Sequence, residues 1–478
     1  MARLALLLAV LAIACKREAP AREAPGSEAV TTRAAVTDPC TKAKVEGAMA
    51  WIADDYPAAL ACAKARNLPL VLDLWAPWCH TCLSMQTTVF TDPSFHEETP
   101  RFVYAALDTD RDVNAAVVAK FPPSAWPTFY VVGPDEAVLA RFVGSASVAQ
   151  FHAFLDSGAR ALAGGAAGAD ARLLGAERAT ALKDYKTADE ELTAAIGAAP
   201  PDWVRLPDAL TSLITTKQRE GDLAGCLDVA EKYLDHTGNA AAASDFLVTA
   251  MDCAKQQEKS SADRVLALRG KALARWQALL ADPKAPLSVD DRSDALDAMR
   301  KTLDELAKKD EAKATAELQL KLLEDAAAKA PDPTAASTYN WQRAEVSVYL
   351  GRPLDAVPAL TKSAAALPTE YDPPARLGWV YLKAGKLDEA RAWTDKALAM
   401  AYGPRKARLL NQRAEIAQRQ HDKAAERKAR TELVALWSAM PAGQANPEAL
   451  KKAKEQLADL EKPQAATDDG GSGSGSAH

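Results

Sequence analysis

The chain has 478 residues, too many for one ordinary core, so two or more domains are expected. With 48% hydrophobic and 26% charged residues it is neither wholly disordered nor collagen-like. Its 58 basic and 64 acidic side chains leave a net charge of −6, with no basic excess to neutralise phosphates, so no nucleic-acid partner is expected. Aromatics at 6% in an alanine-rich chain lean helical. The only long apolar run lies at the N-terminus and is too short to span a bilayer comfortably, which excludes a polytopic membrane protein.

That run is Leu4 to Ala14, preceded by Met1-Ala2-Arg3 and followed by Cys15 and then Lys16-Arg17-Glu18. A charged start, a short apolar core and a small residue before the cut describe an export signal, so residues 1–14 are expected to be a signal peptide. Ala12-Ile13-Ala14-Cys15 resembles a bacterial lipoprotein cleavage box, with Ala12 where that box favours Leu. The resemblance implies lipid on Cys15 and a periplasmic protein of the bacterial cell envelope, anchored to a membrane. Plain secretion is the alternative. Residues 15–44 read as a flexible tether, because 16–36 are rich in Ala, Glu, Arg and Pro without an apolar period.

Seven cysteines are present, and six remain if Cys15 carries lipid. Outside the cytosol such thiols persist as disulfides. Pairing by neighbourhood gives Cys79 with Cys82, and Cys40 with Cys62 and Cys226 with Cys253 as structural disulfides. Six cysteines formally allow about fifteen connectivities, which stay open.

Residues 45–158 carry the chemistry. Trp51 to Arg66 reads as a helix bearing Cys62. Leu68 to Trp75 is an apolar strand interrupted only by Asp73. Ala76-Pro77-Trp78 turns the chain, Cys79-His80-Thr81-Cys82 follows, and Leu83 to Phe90 can continue as a helix. A CxxC at a helix start places its first sulfur near free amides that stabilise a thiolate, and the two-residue spacer lets the second sulfur reach it.

The stretch Asp73 to Cys82 resembles the active site of the thioredoxin superfamily, spacing included. Trp126-Pro127-Thr128-Phe129 resembles that family's cis-proline loop, Gly133-Pro134-Asp135 its next hairpin turn, and Gly144 its late glycine. Val89 to Phe95 is similar to the thioredoxin-like C-terminal domain of periplasmic disulfide reductases. The resemblance implies an α/β thioredoxin-like fold, a central mixed sheet flanked by helices. It casts Cys79 as the attacking thiolate and Cys82 as the thiol that resolves the mixed disulfide. Asp73, its pKa raised by burial, would accept the Cys82 proton. His80 adds a cation beside Cys79, Trp75 and Trp78 frame the sulfurs, and Trp78, Trp126 and Pro127 would meet a substrate strand. The family's lysine near the buried acid has no counterpart, since Ala106 takes that place. Two other readings of the CxxC are weighed. A zinc site would need a second ligand pair, yet His96 and His152 are isolated. A purely structural disulfide explains neither the flanking tryptophans nor Trp126-Pro127. No cofactor or metal is expected.

Residues 165–460 read as an all-α repeat domain. Gly351 and Gly385 lie 34 apart, as do Ala356, Ala390 and Ala424. The unit Leu377-Gly378, Tyr381, Gly385, Ala390 and Ala397 resembles a tetratricopeptide repeat, its small residues suited to close helix packing. Ala176, Ala188 and Ala195 form an earlier unit, Gly221 and Cys226 mark another turn, and Pro200, Pro331 and Pro368 fall at repeat ends. Between 255 and 335 the pattern is irregular. Such an array implies a surface for a peptide or partner protein. Residues 461–478 read as a disordered tail.

The whole implies an exported thiol–disulfide oxidoreductase that exchanges protein disulfides with a redox partner protein, its direction open. The alternative is a repeat scaffold whose thioredoxin-like domain turns over little.

Overall fold

A computed structural model describes residues 38–461. The expected signal peptide, Cys15, most of the expected tether and all but the first residue of the expected tail lie outside the described residues. No helix of the described residues is long and apolar enough to cross a membrane.

Six strands form one mixed sheet: β1 (Lys44–Glu46), β2 (Met49–Ala53), β3 (Leu70–Trp75), β4 (Val103–Asp108), β5 (Thr128–Val132) and β6 (Val138–Val143). Their order across the sheet is β1-β2-β4-β3-β5-β6. The β2–β4 and β4–β3 pairs are parallel, and the other three are antiparallel. Four helices accompany them: α1 (Tyr56–Arg66), α2 (His80–Ser84), α3 (Ala115–Lys120) and α4 (Val148–Leu162). The arrangement is a thioredoxin-like fold.

The central strand β3 shows why its sequence is almost continuously apolar: both of its faces are covered. Leu70, Leu72 and Leu74 enter one core with Ala59, Cys62 and Val117, while Val71 enters the other with Phe129, Phe151 and Phe154. Asp73 shares the period-two face of Val71.

Two sequence expectations need correction. Trp51 is not helical but central to β2, where Trp51 and Ile52 alternate into the two cores. Asp54 in the left-handed region (φ 50°) breaks the strand, and Asp55 then caps α1 by accepting the Ala58 N–H at 3.0 Å. The tether also ends earlier than 44. Pro39–Lys42 forms a turn, Cys40 is bonded to Cys62 on α1, and Lys44 already belongs to the sheet.

At the other boundary, α4 runs past 158 to Leu162, started by a Ser147–Gln150 capping box. The arm begins with helix Gly168–Ala181 and ends with Pro447–Glu461. Consecutive helices pack in pairs, such as Gly168–Ala181 on Tyr185–Gly197, Val289–Glu305 on Lys309–Lys329, and Asp372–Lys383 on Leu387–Leu398. The stretch between 255 and 335, irregular in sequence, folds into helices Ala262–Ala281, Val289–Glu305 and Lys309–Lys329. Ala390 and Ala397 are fully buried, but Ala424 is exposed. The turn before it is set by His421 at φ 58°, which matches Gly385 at φ 74°, so the local repeat is 36 and not 34 residues. Buried Glu426, ion-paired to Arg430, takes the place equivalent to Ala390.

The first arm helices are fixed to the sheet by a buried charge cluster. Arg205 donates to Glu177 (3.0 Å), Asp208 (2.8 Å) and the Arg141 carbonyl of β6 (3.2 Å), and Gln150 of α4 donates to Asp208 (3.3 Å). Each of these charges is paired, the condition under which buried ions are tolerated.

Candidate functional site

The site lies where β3 and β4 deliver their C-terminal loops, residues 75–84 and 108–115. Cys79 stands at the N-cap of α2 and is bonded to Cys82, with Cα atoms 5.2 Å apart. The Cys82 amide donates to Cys79 Sγ at 3.0 Å, so the sulfur that would carry negative charge already faces a free N–H of the first turn. Ala76, Trp75, Trp78 and Trp126 pack round the two sulfurs. Cys79 is 5% exposed and Cys82 1%.

Asp73 is 2% exposed, and its Oδ1 has no hydrogen-bond partner. Burial alone pushes its pKa up to about 8, so the carboxyl exchanges protons near neutrality. It lines a cavity of about 70 Å³ together with Trp51, Gln86, Phe90 and Ala106. That is room for more than one water, each needing about 10–15 Å³. Ala106 sits directly opposite Asp73 in the β3–β4 register and offers neither charge nor hydrogen bond.

The Trp126–Pro127 bond is cis. Trp126 packs tilted against Trp78, with ring centres 5.2 Å apart, and donates its Nε1–H to Thr109 Oγ1 at 2.8 Å, fixing the loop beside the sulfurs. The Pro127 carbonyl accepts from the Gly144 amide at 2.9 Å.

Sequence reasoning missed a second set of residues, all supplied by the arm. His80 Nδ1 lies 2.9 Å from Asp290 and 3.9 Å from Asp294, on helix Val289–Glu305. Burial opposes the imidazolium, but the two carboxylates outweigh it and raise the His80 pKa. Ser84 Oγ donates to Ser288 Oγ at 3.2 Å. Arg376 donates to the Trp78 carbonyl at 3.2 Å, and the Arg405 guanidinium lies 4.7 Å from the centre of the Trp78 ring. Asp110 accepts from Trp78 Nε1 (2.8 Å) and from Tyr371 (3.4 Å), Tyr402 donates to Asp108, and Gln444 donates to the Thr109 carbonyl (2.8 Å). No local pattern in the sequence couples residue 78 to residue 405.

His80, Asp290 and Asp294 each bring a ligand atom within 4.8 Å of the others and form a three-ligand set for a cation. The ion pair of a protonated His80 with two carboxylates accounts for the same geometry. His152 is engaged elsewhere, stacked on Phe95 and 3.0 Å from Glu98. The other cysteines among the described residues are also bonded, Cys40 to Cys62 and Cys226 to Cys253.

Residues 50–134 match a family model described as thioredoxin-like. The chain joins a thioredoxin-like domain to tetratricopeptide-like helical repeats. Among solved structures it is similar to a tetratricopeptide repeat protein from Parabacteroides merdae (17% identity, TM-score 0.39, covering 61% of this chain and 98% of that one). It is also similar to a thermophilic TPR protein of Thermus thermophilus (19%, TM-score 0.26, 53% and 99%). A third likeness is to PilF of Pseudomonas aeruginosa (16%, TM-score 0.28, 52% and 97%). No curated protein matches the chain.

Proposed function

We propose that the chain is an exported thiol–disulfide oxidoreductase working through Cys79 and Cys82, with a helical arm that engages protein partners. The observation that carries the reading is the Cys79–Cys82 pair at the start of α2, facing the Cys82 amide and framed by Trp78 and Trp126. Written as reduction, the Cys79 thiolate attacks one sulfur of a substrate disulfide, and the other sulfur leaves as a thiolate and takes a proton. Cys82 then loses its proton to Asp73 and attacks Cys79 Sγ. The mixed disulfide breaks, the second substrate sulfur leaves as a thiolate and takes a proton, and the substrate departs as a dithiol carrying two electrons while Cys79 and Cys82 are left as a disulfide. Oxidation of a client is the same sequence reversed. The potential of the couple sets the direction: near about −270 mV it reduces, near about −120 mV it oxidises.

Export accounts for three disulfides in one chain, since such bonds persist in oxidising compartments. Residues 1–14 would direct it and a lipid on Cys15 would anchor it to a membrane of the bacterial cell envelope. Mass spectrometry of the mature N-terminus tests this, and an unlipidated chain starting beyond Cys15 removes the anchor. Repeats of this type generally bind a peptide or protein, and the arm would do the same.

The test of the chemistry is trapping. Cys82→Ser should accumulate mixed disulfides through Cys79, and Cys79→Ser should accumulate few. Equal trapping refutes the assignment. A second reading, a repeat scaffold with little redox turnover, is favoured by the burial of both sulfurs. Failure of the native protein and of its variants to reduce insulin under any donor would favour it.

A further inference from the structure

The arm leaves the thioredoxin-like domain at α4 and β6, and its later helices return to the opposite end of the same sheet. There they lie on the two loops that hold the redox pair. Asp290 and Ser288 meet His80 and Ser84, Arg376 and Arg405 meet Trp78, and Tyr371, Tyr402 and Gln444 meet residues 108–110. Two glycines make the approach close enough to touch backbone. A Cβ on Gly403 would sit 1.9 Å from the Asp110 carbonyl oxygen, and one on Gly443 would sit 1.9 Å from that of Ala115. Cys79 is 5% exposed, and Trp78 beside it packs against Trp126 of its own domain and against the Arg405 guanidinium of the arm.

We infer that segment 288–444 of the arm is an autoinhibitory strap. It occupies the surface on which a protein disulfide must dock, and Cys79 meets such a substrate only when the strap lifts. The proposal rests on the exchange reading for its purpose but not for its geometry. A folded protein must bring its disulfide to Cys79 past Trp78, which Arg376 and Arg405 of the arm hold in place, whereas a small thiol reagent needs only local breathing. The apparent reactivity toward large partners is then reduced by the fraction of molecules that are open. The contacts combine single hydrogen bonds, the His80–Asp290 ion pair, one guanidinium–indole stack and the packing of Trp78 against the cluster of Tyr371, Ala375 and Leu409, none of them covalent, so the closed state is one a partner can displace. The first arm helices, held by the buried Arg205 cluster, stay in place, so the movement lies within the arm and not at its root.

The experiment measures access to Cys79 and not turnover. In the Cys82→Ser background Cys79 is a free thiol, and its alkylation by N-ethylmaleimide is compared with that by a maleimide on a 5-kDa polyethylene glycol, the modified peptide being identified by mass. Gly443→Val places a wedge against the Ala115 and Ala119 backbone, at the far end of the second loop from the sulfurs and their tryptophans. Tyr402→Phe with Gln444→Ala removes two strap hydrogen bonds and adds no bulk. Melting curves confirm that both variants fold. The large reagent should react about tenfold or more slower than the small one in the parent, and each variant should close most of that gap. Equal reactivity toward the two reagents in the parent, or an unchanged gap in both folded variants, overturns the strap. Loss of disulfide exchange with normal alkylation would instead count against the proposed function and leave the strap standing.

Discussion

His80 Nδ1 and Asp290 Oδ1 are 2.9 Å apart across 210 residues of sequence, which ties the residue after Cys79 to a helix of the arm. Asp290 is almost wholly buried and His80 partly so, so the pair is shielded from bulk water. Its contribution to holding the arm follows the charge on His80. Burial opposes that charge, the Asp290 and Asp294 carboxylates prevail, and the folded imidazole titrates near about 10 against an ordinary value near about 6.5. A group whose pKa is raised on folding stabilises fully below its unfolded value and loses that stabilisation as pH rises through the folded one. Asp290→Asn should therefore destabilise by on the order of 2 kcal/mol at about pH 6, and the deficit should fade as pH climbs toward about 10. Urea titrations of both proteins across that range check it. A deficit independent of pH would show that the interaction does not depend on the charge of His80.

The same reasoning applies to Asp73, where the variant is expected to be the more stable protein. Its pKa is raised to about 8 by burial alone, with no partner charge to compensate. The native state then holds a proton that the unfolded chain gives up near about pH 4. Stability associated with this group is complete below that value and falls as pH rises toward about 8. Asp73→Asn keeps the shape and removes the titration, so it should be more stable than the parent at about pH 8, with the gap closing in acid. If Asp73 takes the Cys82 proton, the same variant should slow resolution of the mixed disulfide by about a hundredfold while leaving formation of the Cys79 adduct unchanged. Rapid-quench measurement of the two half-reactions separates these effects.

Gly378 tests the packing of the repeats. It lies mid-helix, where alanine would ordinarily gain about 1 kcal/mol from helix propensity. A Cβ there would stand 2.5 Å from Thr394 Oγ1 and 3.1 Å from the Thr394 amide nitrogen, on the next helix. Relief requires the backbone of one helix to move, and overpacking of this kind costs about 1–3 kcal/mol. The clash outweighs propensity, so Gly378→Ala should lower the melting temperature of the folded chain. A rise would mean that the helix pair is looser than its geometry indicates.

Much of the fold was legible because its strongest signals are local. Leu70–Trp75 reads as a strand covered on both faces, CxxC follows a turn, and the Gly351 to Gly385 spacing exposes a repeat. The errors have equally local causes. Trp51 and Ile52 have apolar side chains that suit either a helix or an alternating strand, and the Asp54–Asp55 break decides between them. Repeat turns were hidden where Lys183, Ala307 and His421, at φ of 60°, 58° and 58°, adopt the left-handed conformation usually left to glycine. The candidate site was legible only in its thioredoxin-like half. Where Asp290, Arg376, Arg405 and Tyr402 fall depends on rotations accumulated helix by helix along the arm, and no periodicity reports such a sum.

Within the arm, Cys226 and Cys253 are bonded, fully buried, and joined with Cα atoms 6.4 Å apart. Cys226 lies on helix Leu223–Tyr233 and Cys253 on Ala241–Gln257, neighbours in one apolar cluster that includes Ile214 and Trp276. The bond closes a loop with a sequence separation of 27. In the chain-entropy account a closure of that length stabilises by about 3–4 kcal/mol, through loss of freedom in the unfolded chain. Both sulfurs are shut off from solvent, with Cys226 and Cys253 each 0% exposed. The Cys226→Ser, Cys253→Ser double variant should therefore lose several kcal/mol in urea unfolding, part of it from two buried hydroxyls that must find acceptors. It should retain the exchange rate of the Cys79–Cys82 couple when assayed at a temperature where it is folded. A stable variant with lost exchange would instead assign this bond a part in turnover, whereas unchanged unfolding would mean that the apolar cluster around it holds the hairpin without help.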